Sequence, residues 1–385
     1  MLIPRTKHYN NEPIGNNLMI EEKAVKWYLK NIEMPNREIL DEPGFIGENL
    51  SGEDEIYLRN VALPEEIFIR IEEYVDNLKL LYRIGKEFGY RYAAISELDR
   101  YSEVCENEFC ESTRMVLKYL ESVCWWKTGS FNLDYDKKTL ELELDMFIEC
   151  NRNGKGYLFL GSAAGFWSYM VGGEGIEATQ RKCQGRDEDK CKITAGPKSE
   201  LQNNFEVEIN LDSLKMSKDY NVYNEIKSTD YAKNSMEDFE EIGFFEYREG
   251  LFYHNDFRYI WTESTLIELV GSELGVDYEE ELFNSAFQVG KEIVTEDEER
   301  NMEKFIVEYL SATGWGDTKI SKKNGVYHVH SLMFPWTRFT DDTSFPIFRG
   351  IVSGMITEFE QEEVRLNKVQ KDDKGGSFSL LAEEE

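Results

Sequence analysis

Residues 83–87 read Arg-Ile-Gly-Lys-Glu, and residues 288–292 read Gln-Val-Gly-Lys-Glu, the same pattern 205 positions later. A Tyr-Leu block followed by Trp125 then returns 190 positions later, followed by Trp315. The order of the blocks is kept, so the chain repeats one pattern, as a duplicated fold does. Because the two spacings differ by 15 residues, the sequence predicts an insertion in an inner loop of the first copy.

The segment 157–171 (YLFLGSAAGFWSYMV) is almost wholly apolar and carries Gly161 and Gly165 one helical turn apart. The same glycine pair returns 189 positions later as Gly350 and Gly354. Small residues at this spacing let a second backbone approach a helix closely. The segment is too short to span a bilayer, so it predicts a buried helix in each copy.

Repeats with this content predict an α+β protein made of two tandem α/β sensor-like domains. Each is expected to be an antiparallel sheet packed with helices, since 140–144 (LELEL) alternates as a half-buried strand does. Two copies in one chain can bury their mating faces against each other as a pseudo-dimer. The predicted divisions are an N-terminal arm (1–50), a first domain (51–198), a polar linker (199–242), a second repeat ending in a helix (243–366) and a flexible tail (367–385).

The formal net charge of −31 sets limits on the function of the chain. It repels phosphate backbones, so nucleic-acid binding is set aside, and the acidic surface is expected to serve solubility or to attract cations or a basic partner. The sequence contains no apolar run of membrane-spanning length, and its first residues, MLIPR, do not open a signal peptide. We therefore expect a cytoplasmic protein without membrane insertion, whose six cysteines are thiols or metal ligands rather than disulfides.

The sharpest local signal is the spacing of Cys183 and Cys191 around Gly185. If the flanking segments form a hairpin, its end holds two thiols, the kind of ligand that zinc prefers. A structural zinc needs two more ligands, which Cys150 and one further side chain would supply. Equally, buried thiols serve as small hydrophobic side chains, and both interpretations stay open. The candidates for the remaining zinc ligand are Cys105, Cys110, Glu149, Asp134 and Glu177.

Signals for catalysis are sparse. His328 and His330 alternate along a predicted strand and share one face, an arrangement that suits a metal or a ligand carboxylate but is also typical of an ordinary polar strand face. The sequence lacks the glycine-rich loops, nucleophile elbow and zinc-protease motif of common enzyme classes. The question of an enzyme stays open, with the balance towards a protein without catalytic activity.

The first copy also contains many aromatic residues that could bind a ligand. Aromatic side chains between helices and a sheet either fill a core or line an apolar cavity for a small ligand. The candidate ligand-binding residues are Trp125, Tyr157, Phe159, Phe166, Trp167 and Tyr169.

The segment 157–197 resembles the 4-vinyl reductase domain, in the form found in sensor domains of phenol- and toluene-responsive bacterial activators. The likeness is carried by the paired-glycine helix, the glycine turn and the cysteine hairpin that ends in Pro197. It implies a dimerising ligand-binding domain related in fold to vesicle-tethering subunits, and a structural zinc held by Cys183, Cys191, a further cysteine and a glutamate. The further cysteine of that family would fall near Tyr157, so Cys150 must replace it here.

These observations predict a small hydrophobic or aromatic ligand-binding sensor or regulatory protein with a zinc-stabilised hairpin. In it, the second, degenerate repeat acts as the partner of the first. A non-catalytic interaction adaptor that resembles vesicle-tethering subunits is the alternative. A tetrapyrrole vinyl reductase, suggested by the name of the domain, is a third hypothesis.

Overall fold

The computed structural model describes residues 9–13, 39–49, 57–148, 156–173, 175–201, 222–223, 228–294, 301–336, 344–371 and 377–382. In chain order its strands and helices are β1 (Tyr9–Pro13), β2 (Ile39–Glu42), β3 (Phe45–Asn49), β4 (Tyr57–Pro64), α1 (Glu65–Tyr74), α2 (Leu78–Ile95), α3 (Glu106–Ser122), β5 (Thr128–Asp134), β6 (Thr139–Asp145), α4 (Tyr157–Val171), β7 (Ile176–Lys182), β8 (Cys191–Pro197), β9 (Val222–Tyr223), α5 (Met236–Glu241), β10 (Glu246–Arg248), β11 (Leu251–His254), β12 (Phe257–Glu263), α6 (Thr265–Leu274), α7 (Glu279–Ile293), α8 (Met302–Ala312), β13 (Asp317–Lys323), β14 (Val326–Leu332), α9 (Pro346–Glu360), β15 (Leu366–Lys371) and β16 (Ser377–Ala382).

The fold is mixed α/β, with antiparallel sheets packed against helices, as the sequence predicts. The chain divides into two compact units whose boundaries differ from the predicted ones. Unit 1 holds Met1–Leu29, Asp76–Ser217 and Glu249–Leu251, and unit 2 holds Lys30–Val75, Lys218–Arg248 and Phe252–Glu385. The predicted arm and first domain are therefore shared between the units: β1 belongs to unit 1, whereas β2, β3, β4 and α1 belong to unit 2.

Unit 1 is a five-stranded sheet with the strand order β1-β5-β6-β8-β7 and three helices, α2, α3 and α4. All of its strand pairs are antiparallel. In β6, Leu140, Leu142 and Leu144 are buried while the residues between them are more exposed. This alternation gives the sheet one apolar face, against which the helices pack.

Helices α2 and α4 pack with their backbones in close contact because glycines face each other at the crossing. A Cβ atom on Gly85 would lie 1.8 Å from the carbonyl oxygen of Leu158, and one on Gly161 would lie 2.0 Å from that of Tyr82. No real side chain fits at such distances. The close approach expected from the glycine spacing is therefore present, and each glycine of this crossing is required by packing.

Unit 2 contains a four-stranded sheet with the order β13-β14-β16-β15 and the helices α7, α8 and α9. Its chain order, two helices, two strands, a helix and two strands, is that of unit 1 from α2 to β8. The strand order also corresponds, since β5-β6-β8-β7 in unit 1 has the same connectivity. Helices α7 and α9 meet through glycines as well: a Cβ on Gly354 would lie 2.1 Å from the carbonyl oxygen of Phe287.

A second sheet of unit 2 has the order β10-β11-β12-β4-β3-β2, with β9 also paired to β4. Strands β4 and β12 are antiparallel, with Ala62 opposite Trp261. Helix α1 follows β4 directly and is tied to α7 by an ion pair of 2.9 Å between Arg70 and Glu292. These contacts explain why residues 57–74 belong to unit 2 although they precede the first repeat in sequence.

The end of the second repeat differs from the prediction of a terminal helix and a flexible tail. Helix α9 ends at Glu360, and the chain then forms β15 and β16. Strand β16 lies between β14 and β15, with Val329 and Val369 both opposite Leu380. The second repeat therefore keeps the strand pair that corresponds to β7 and β8, and what it lacks is the pair of cysteines.

The 15-residue insertion of the first repeat is also placed differently from the prediction. Helix α2 has 18 residues against 15 in α7, and α3 has 17 residues against 11 in α8. Relative to the repeated pattern, the added residues extend the end of α2 and the start of α3. The insertion therefore builds helical turns, and Cys110 lies inside α3 rather than in a loop.

The end of the predicted linker is fixed to unit 2 by acidic side chains. The buried carboxylate of Asp317 accepts hydrogen bonds from the backbone N–H groups of Asp230, Tyr231 and Ala232. Glu308 accepts two more, from Lys233 and Asn234. Residues 230–234 are therefore anchored, while 202–221 and 224–227 of the predicted linker lie outside the described residues.

Candidate functional site

An apolar cavity of about 40 Å³ lies in unit 1 between α3, α4 and the inner face of β6 and β8. Helix α4 reaches it because the helix is apolar on all sides: its glycine face packs on α2, and another face is left for the cavity. Strands β6 and β8 contribute the inward residues of their alternation. The lining residues are Thr113, Val116, Leu117, Leu120, Trp125, Trp126, Leu140, Leu142, Phe147, Phe159, Ala163, Phe166, Trp167, Met170, Ile193 and Ala195.

Aromatic rings set the shape of this cavity. Trp125 meets Phe159 edge to face, with ring centroids 4.9 Å apart and an interplanar angle of 88°. Phe166 lies 6.4 Å from Trp125 in a similar arrangement. Edge-to-face contacts of this kind are favourable and hold each ring in one orientation.

The added turns of α2 and α3 support the same rings. Tyr92, near the end of α2, contacts Phe166 at 5.4 Å. Phe109, near the start of α3, contacts Trp167 at 5.6 Å, and Thr113 one turn later lines the cavity itself. The insertion that distinguishes the first repeat therefore packs against two of the rings that line the cavity, while the wall itself begins after the insertion, at Thr113.

Four of the six aromatic residues named from the sequence line the cavity: Trp125, Phe159, Phe166 and Trp167. Tyr157 and Tyr169 are not among the lining residues. Tyr169 instead packs against Tyr90 at 5.6 Å and under the guanidinium of Arg100 at 4.9 Å. Burial raises the pKa of the Tyr169 phenol. Both tyrosines are only half-buried.

Polar side-chain atoms in the cavity wall are few, and three of them form well-defined hydrogen bonds. The Thr113 hydroxyl donates to the carbonyl oxygen of Phe109 at 2.8 Å. The indole N–H of Trp126 donates to Glu121 at 3.2 Å, and that of Trp167 donates to the carbonyl oxygen of Lys138 at 2.8 Å. The wall thus offers mainly hydrocarbon to any molecule inside it.

A buried polar group that the sequence analysis did not predict joins α2 to β7. The Lys86 ammonium lies 2.9 Å from the Glu177 carboxylate, and both side chains are buried. The Tyr82 hydroxyl donates to the second carboxylate oxygen at 2.8 Å and accepts a hydrogen bond from the Ala178 N–H at 2.8 Å. Burial, reinforced by the Glu177 charge, holds the pKa of Tyr82 well above its usual value.

This group closes the edge of the sheet rather than forming part of the cavity. Strand β7 is an edge strand, and the Ala178 N–H on its outer side donates a hydrogen bond to the Tyr82 hydroxyl. This N–H is therefore not available for pairing with another strand. Glu177 was a candidate zinc ligand from the sequence, and here it is the partner of Lys86. In unit 2 the corresponding lysine, Lys291, lies 3.8 Å from Glu358 of α9, and both side chains are about one-third exposed.

The two hairpin cysteines lie at one end of β7 and β8. Lys182 and Lys192 are paired, and continuing this register sets Cys183 opposite Cys191. Both thiols are fully buried. The backbone N–H of Gln184 points to the sulfur of Cys191 at 3.5 Å, and the Gln184 side chain binds Asp145 and the N–H of Met146. The predicted hairpin geometry is therefore present.

The remaining predicted zinc ligands do not gather at this hairpin in the part of the chain that the structure describes. Cys150 and Glu149 lie outside the described residues. Cys105 is the exposed N-cap residue of α3, where its N–H binds Glu108 and lowers the pKa of that carboxyl. Asp134 binds the backbone N–H of Lys137. Among the described residues, no group of three or more His, Cys, Asp or Glu side chains is arranged to hold a metal ion.

His328 and His330 share one face of β14, as predicted. Both are half-buried, and the residues between and beside them, Tyr327 and Val329, point to the core. The register sets His328 beside Ser321 and His330 beside Lys319. The pair therefore lies on the outer, polar face of the sheet.

The corresponding aromatic residues of unit 2 pack against one another. Trp315 contacts Trp336 at 5.1 Å and Phe348 at 5.6 Å, and Phe334 contacts Phe348 at 4.8 Å. A larger opening of about 280 Å³ lies beside this cluster, between α6 and the start of α9. Its lining ends at Ser344, next to residues 337–343, which the structure does not describe.

No protein-family model matches this chain, and no curated protein matches it in sequence. Across the described ranges, no helix combines the length and the apolar character needed to cross a bilayer. The function is therefore inferred from the site itself.

Proposed function

We propose that the chain is a regulatory protein of the tandem 4-vinyl reductase type that binds a small apolar molecule in the unit 1 cavity. The observation that carries this proposal is the apolar cavity wall, two of whose rings, Phe166 and Trp167, are packed against the helical turns added to α2 and α3. The common order of elements in the two units supports a duplicated fold. We propose that the second copy serves as the partner of the first.

The small volume of the cavity means that a ligand can enter only if side chains of the wall move. Pockets that enclose drug-sized ligands are about 300–1,000 Å³, whereas this cavity measures about 40 Å³. A ligand the size of a benzene ring therefore has to displace side chains such as Leu120. Binding is expected to be coupled to a local opening of the helix and sheet layers, which is how occupancy would be signalled to a partner.

The test uses two leucines that occupy the same position of the repeated pattern. Leu120 lines the cavity, whereas Leu310, its counterpart in unit 2, is buried in the other core. Leu120→Ala and Leu310→Ala should each lower the free energy of unfolding by about 2–5 kcal/mol. Leu120→Ala should then regain more stability than Leu310→Ala when benzene is added, because the emptied space adds to an apolar cavity that is already present. Equal responses of the two variants would remove the cavity from the proposal.

Zinc at the hairpin remains a separate proposal. Cys183 and Cys191 supply two of the four ligands that a structural zinc takes, and among the described residues no complete set is present. No step of ligand binding is therefore assigned to zinc. Metal analysis of the purified protein tests the site: one zinc per chain that is lost in Cys183→Ser and kept in Cys105→Ser is expected, and zinc-free protein would contradict it.

An interaction adaptor is the second candidate, favoured by how little space the cavity leaves. With a net charge of −31, its partner would carry a basic surface. The two candidates differ in the benzene experiment, since an adaptor without a ligand site in unit 1 should give the two leucine variants equal responses. No general acid or base is found among the lining residues described above, so we do not extend the proposal to a reaction.

A further inference from the structure

We propose that the unit 1 cavity selects hydrocarbons that carry no hydrogen-bonding group and rejects their hydroxylated analogues. This inference rests on the proposed function and adds the chemical class of the ligand. It starts from the sixteen lining residues, of which Thr113, Trp125, Trp126 and Trp167 have a side chain with a nitrogen or oxygen atom. The other twelve present carbon and, at Met170, a thioether.

The polar wall atoms do not complement a hydroxyl group. A ligand hydroxyl has to donate its proton, and an indole N–H is a donor that cannot accept one. The N–H groups of Trp126 and Trp167 are in addition engaged with Glu121 and with the backbone at Lys138. Trp125 meets its neighbour Phe159 edge-on. Three of the four polar side chains are therefore unable to take the proton.

Thr113 is the remaining acceptor, and its hydroxyl is directed along its own helix. It lies 2.8 Å from the carbonyl oxygen of Phe109, one turn earlier, to which it donates. Thr113 is 1% exposed. The donor of this hydroxyl is therefore engaged by the backbone of its own helix, and only the lone pairs of its oxygen remain for a ligand.

The buried ion pair of unit 1 is also engaged outside the cavity. Lys86 and Glu177 bind each other at 2.9 Å, and Tyr82 completes their group on the α2 side of β7. None of these three residues lines the cavity. A ligand carboxylate or amine would therefore enter the cavity without a counter-charge, and a ligand hydroxyl would find at most one side-chain acceptor in the wall, the Thr113 oxygen that is directed along its own helix.

The expected selectivity follows from the loss of hydration. A hydroxyl that gives up its hydrogen bonds to water without replacement weakens binding by about 10- to 100-fold relative to the same ring without it. Benzene and phenol form the matched pair, because they differ by one oxygen atom. Benzene should therefore bind at least about tenfold more tightly than phenol.

The experiment measures both dissociation constants by NMR titration of the full chain, in the native protein and in Leu120→Ala, which has more room. Ile193→Val, a smaller truncation in the same wall, replaces Leu120→Ala if that variant does not fold. Thr113→Val is measured as well and should shift both constants by the same factor. Leu310→Ala reports binding outside the cavity.

The outcomes separate this inference from the proposed function. A tenfold or larger preference for benzene, with tighter binding of benzene in Leu120→Ala than in Leu310→Ala, supports both. Phenol binding within threefold of benzene, or a selective loss of phenol binding in Thr113→Val, overturns the hydrocarbon preference and leaves the cavity as a ligand site. Absence of binding of either compound in every variant overturns the proposed function and this inference together.

Discussion

At the scale of single residues, the helix crossings depend on glycines that no other side chain can replace. In unit 2, a Cβ on Gly354 would lie 2.1 Å from a backbone oxygen of α7, and a backbone cannot move aside as a flexible side chain does. Gly271 of α6 has open space around its missing Cβ. Both glycines lie within helices, so their intrinsic helix propensities are alike and their packing differs.

We predict opposite effects for the same substitution at these two positions. Gly354→Ala should lower the free energy of unfolding by about 3 kcal/mol, because α9 must move away from α7. Gly271→Ala should raise it by about 0.5–1 kcal/mol through helix propensity alone. Urea unfolding of the two variants measures the difference, and a neutral Gly354→Ala would mean that α7 and α9 do not cross at this point.

The buried ion pair of Lys86 and Glu177 gives a second residue-level prediction. Lys86→Met leaves the Glu177 carboxylate buried beside the Tyr82 hydroxyl and should destabilise unit 1 by about 3–5 kcal/mol. Adding Glu177→Leu should restore much of that loss, because two apolar side chains replace two buried charges. Lys190→Met breaks the exposed pair with Glu143 and serves as control, with an expected change of about 0–1 kcal/mol.

Double-mutant analysis by thermal or urea unfolding measures this coupling. If the two single substitutions simply add in the double variant, the side chains do not interact as the structure describes. The Lys86 side chain was not predicted as part of a site, although its Gly-Lys-Glu block was recognised. Its partner lies 91 residues away in the sequence, on a different element, and no local pattern marks such a pair.

Residues that lie close together in the sequence and meet within one hairpin or helix were easier to predict. Cys183 and Cys191 are eight positions apart, so a hairpin alone brings them together. Phe159, Phe166 and Trp167 line the cavity because they share the inward side of one helix. Tyr169 lies on the same helix but on another side of it, beside Arg100, and only the positions of neighbouring elements decide that difference.

At the scale of elements, the repeated pattern in the sequence predicted which helices are present better than it predicted the structure at the end of the chain. The insertion in the first repeat was read as a loop, whereas it adds turns to α2 and α3. Those turns carry Tyr92 and Phe109, whose burial against Phe166 and Trp167 stabilises a longer helix pair. Helix length was set by these tertiary contacts, which a loop composition does not reveal.

The last two strands were missed because β15 is mainly polar in composition and because Gly375 and Gly376 interrupt the pattern just before β16. Strand β16 is stabilised by pairing with β14 on one side and β15 on the other. Its neighbours, more than its own sequence, make it a strand. The absence of cysteines in the second repeat therefore indicated a lost thiol pair and not a lost hairpin.

We predict that residues 377–382 exchange their amide hydrogens as slowly as β8 does in unit 1. Hydrogen exchange measured by mass spectrometry tests this, since central strands are protected and frayed tails are not. Leu380→Pro should remove a ladder hydrogen bond and abolish protection in β14 and β16. Leu380→Val retains the backbone N–H and serves as control. Complete exchange of this segment at the first time point would restore the interpretation as a flexible tail.

At the scale of the whole molecule, buried phenols and a high negative charge are expected to lower the free energy of unfolding at alkaline pH. Tyr82 in unit 1 and Tyr259 and Tyr309 in unit 2 are buried, and Tyr259 shares a hydrogen bond of 3.0 Å with Tyr309. Burial raises the pKa of each of these three phenols above its usual value. The folded chain therefore keeps protons that the unfolded chain loses above about pH 10.

The sign of the pH dependence follows from this difference. A group whose pKa is raised by folding contributes fully below its unfolded value, and its contribution is lost as the pH rises above that value. Above about pH 10, each of the three tyrosines should lower the free energy of unfolding by about 1.4 kcal/mol per pH unit. The net charge of −31 becomes more negative over the same range and acts in the same direction.

Urea unfolding between pH 9 and 11.5 tests this prediction, with absorbance of the phenolate recorded in parallel. Tyr309→Phe should reduce the alkaline slope by about 1.4 kcal/mol per pH unit, since one titrating group is removed from the unfolded chain alone. Tyr74→Phe provides the matched control, because Tyr74 is 51% exposed, so its removal should leave the slope unchanged. Phenolate absorbance that rises in full while the chain remains folded would show that these phenols reach solvent, and the buried positions of Tyr82, Tyr259 and Tyr309 would then be wrong.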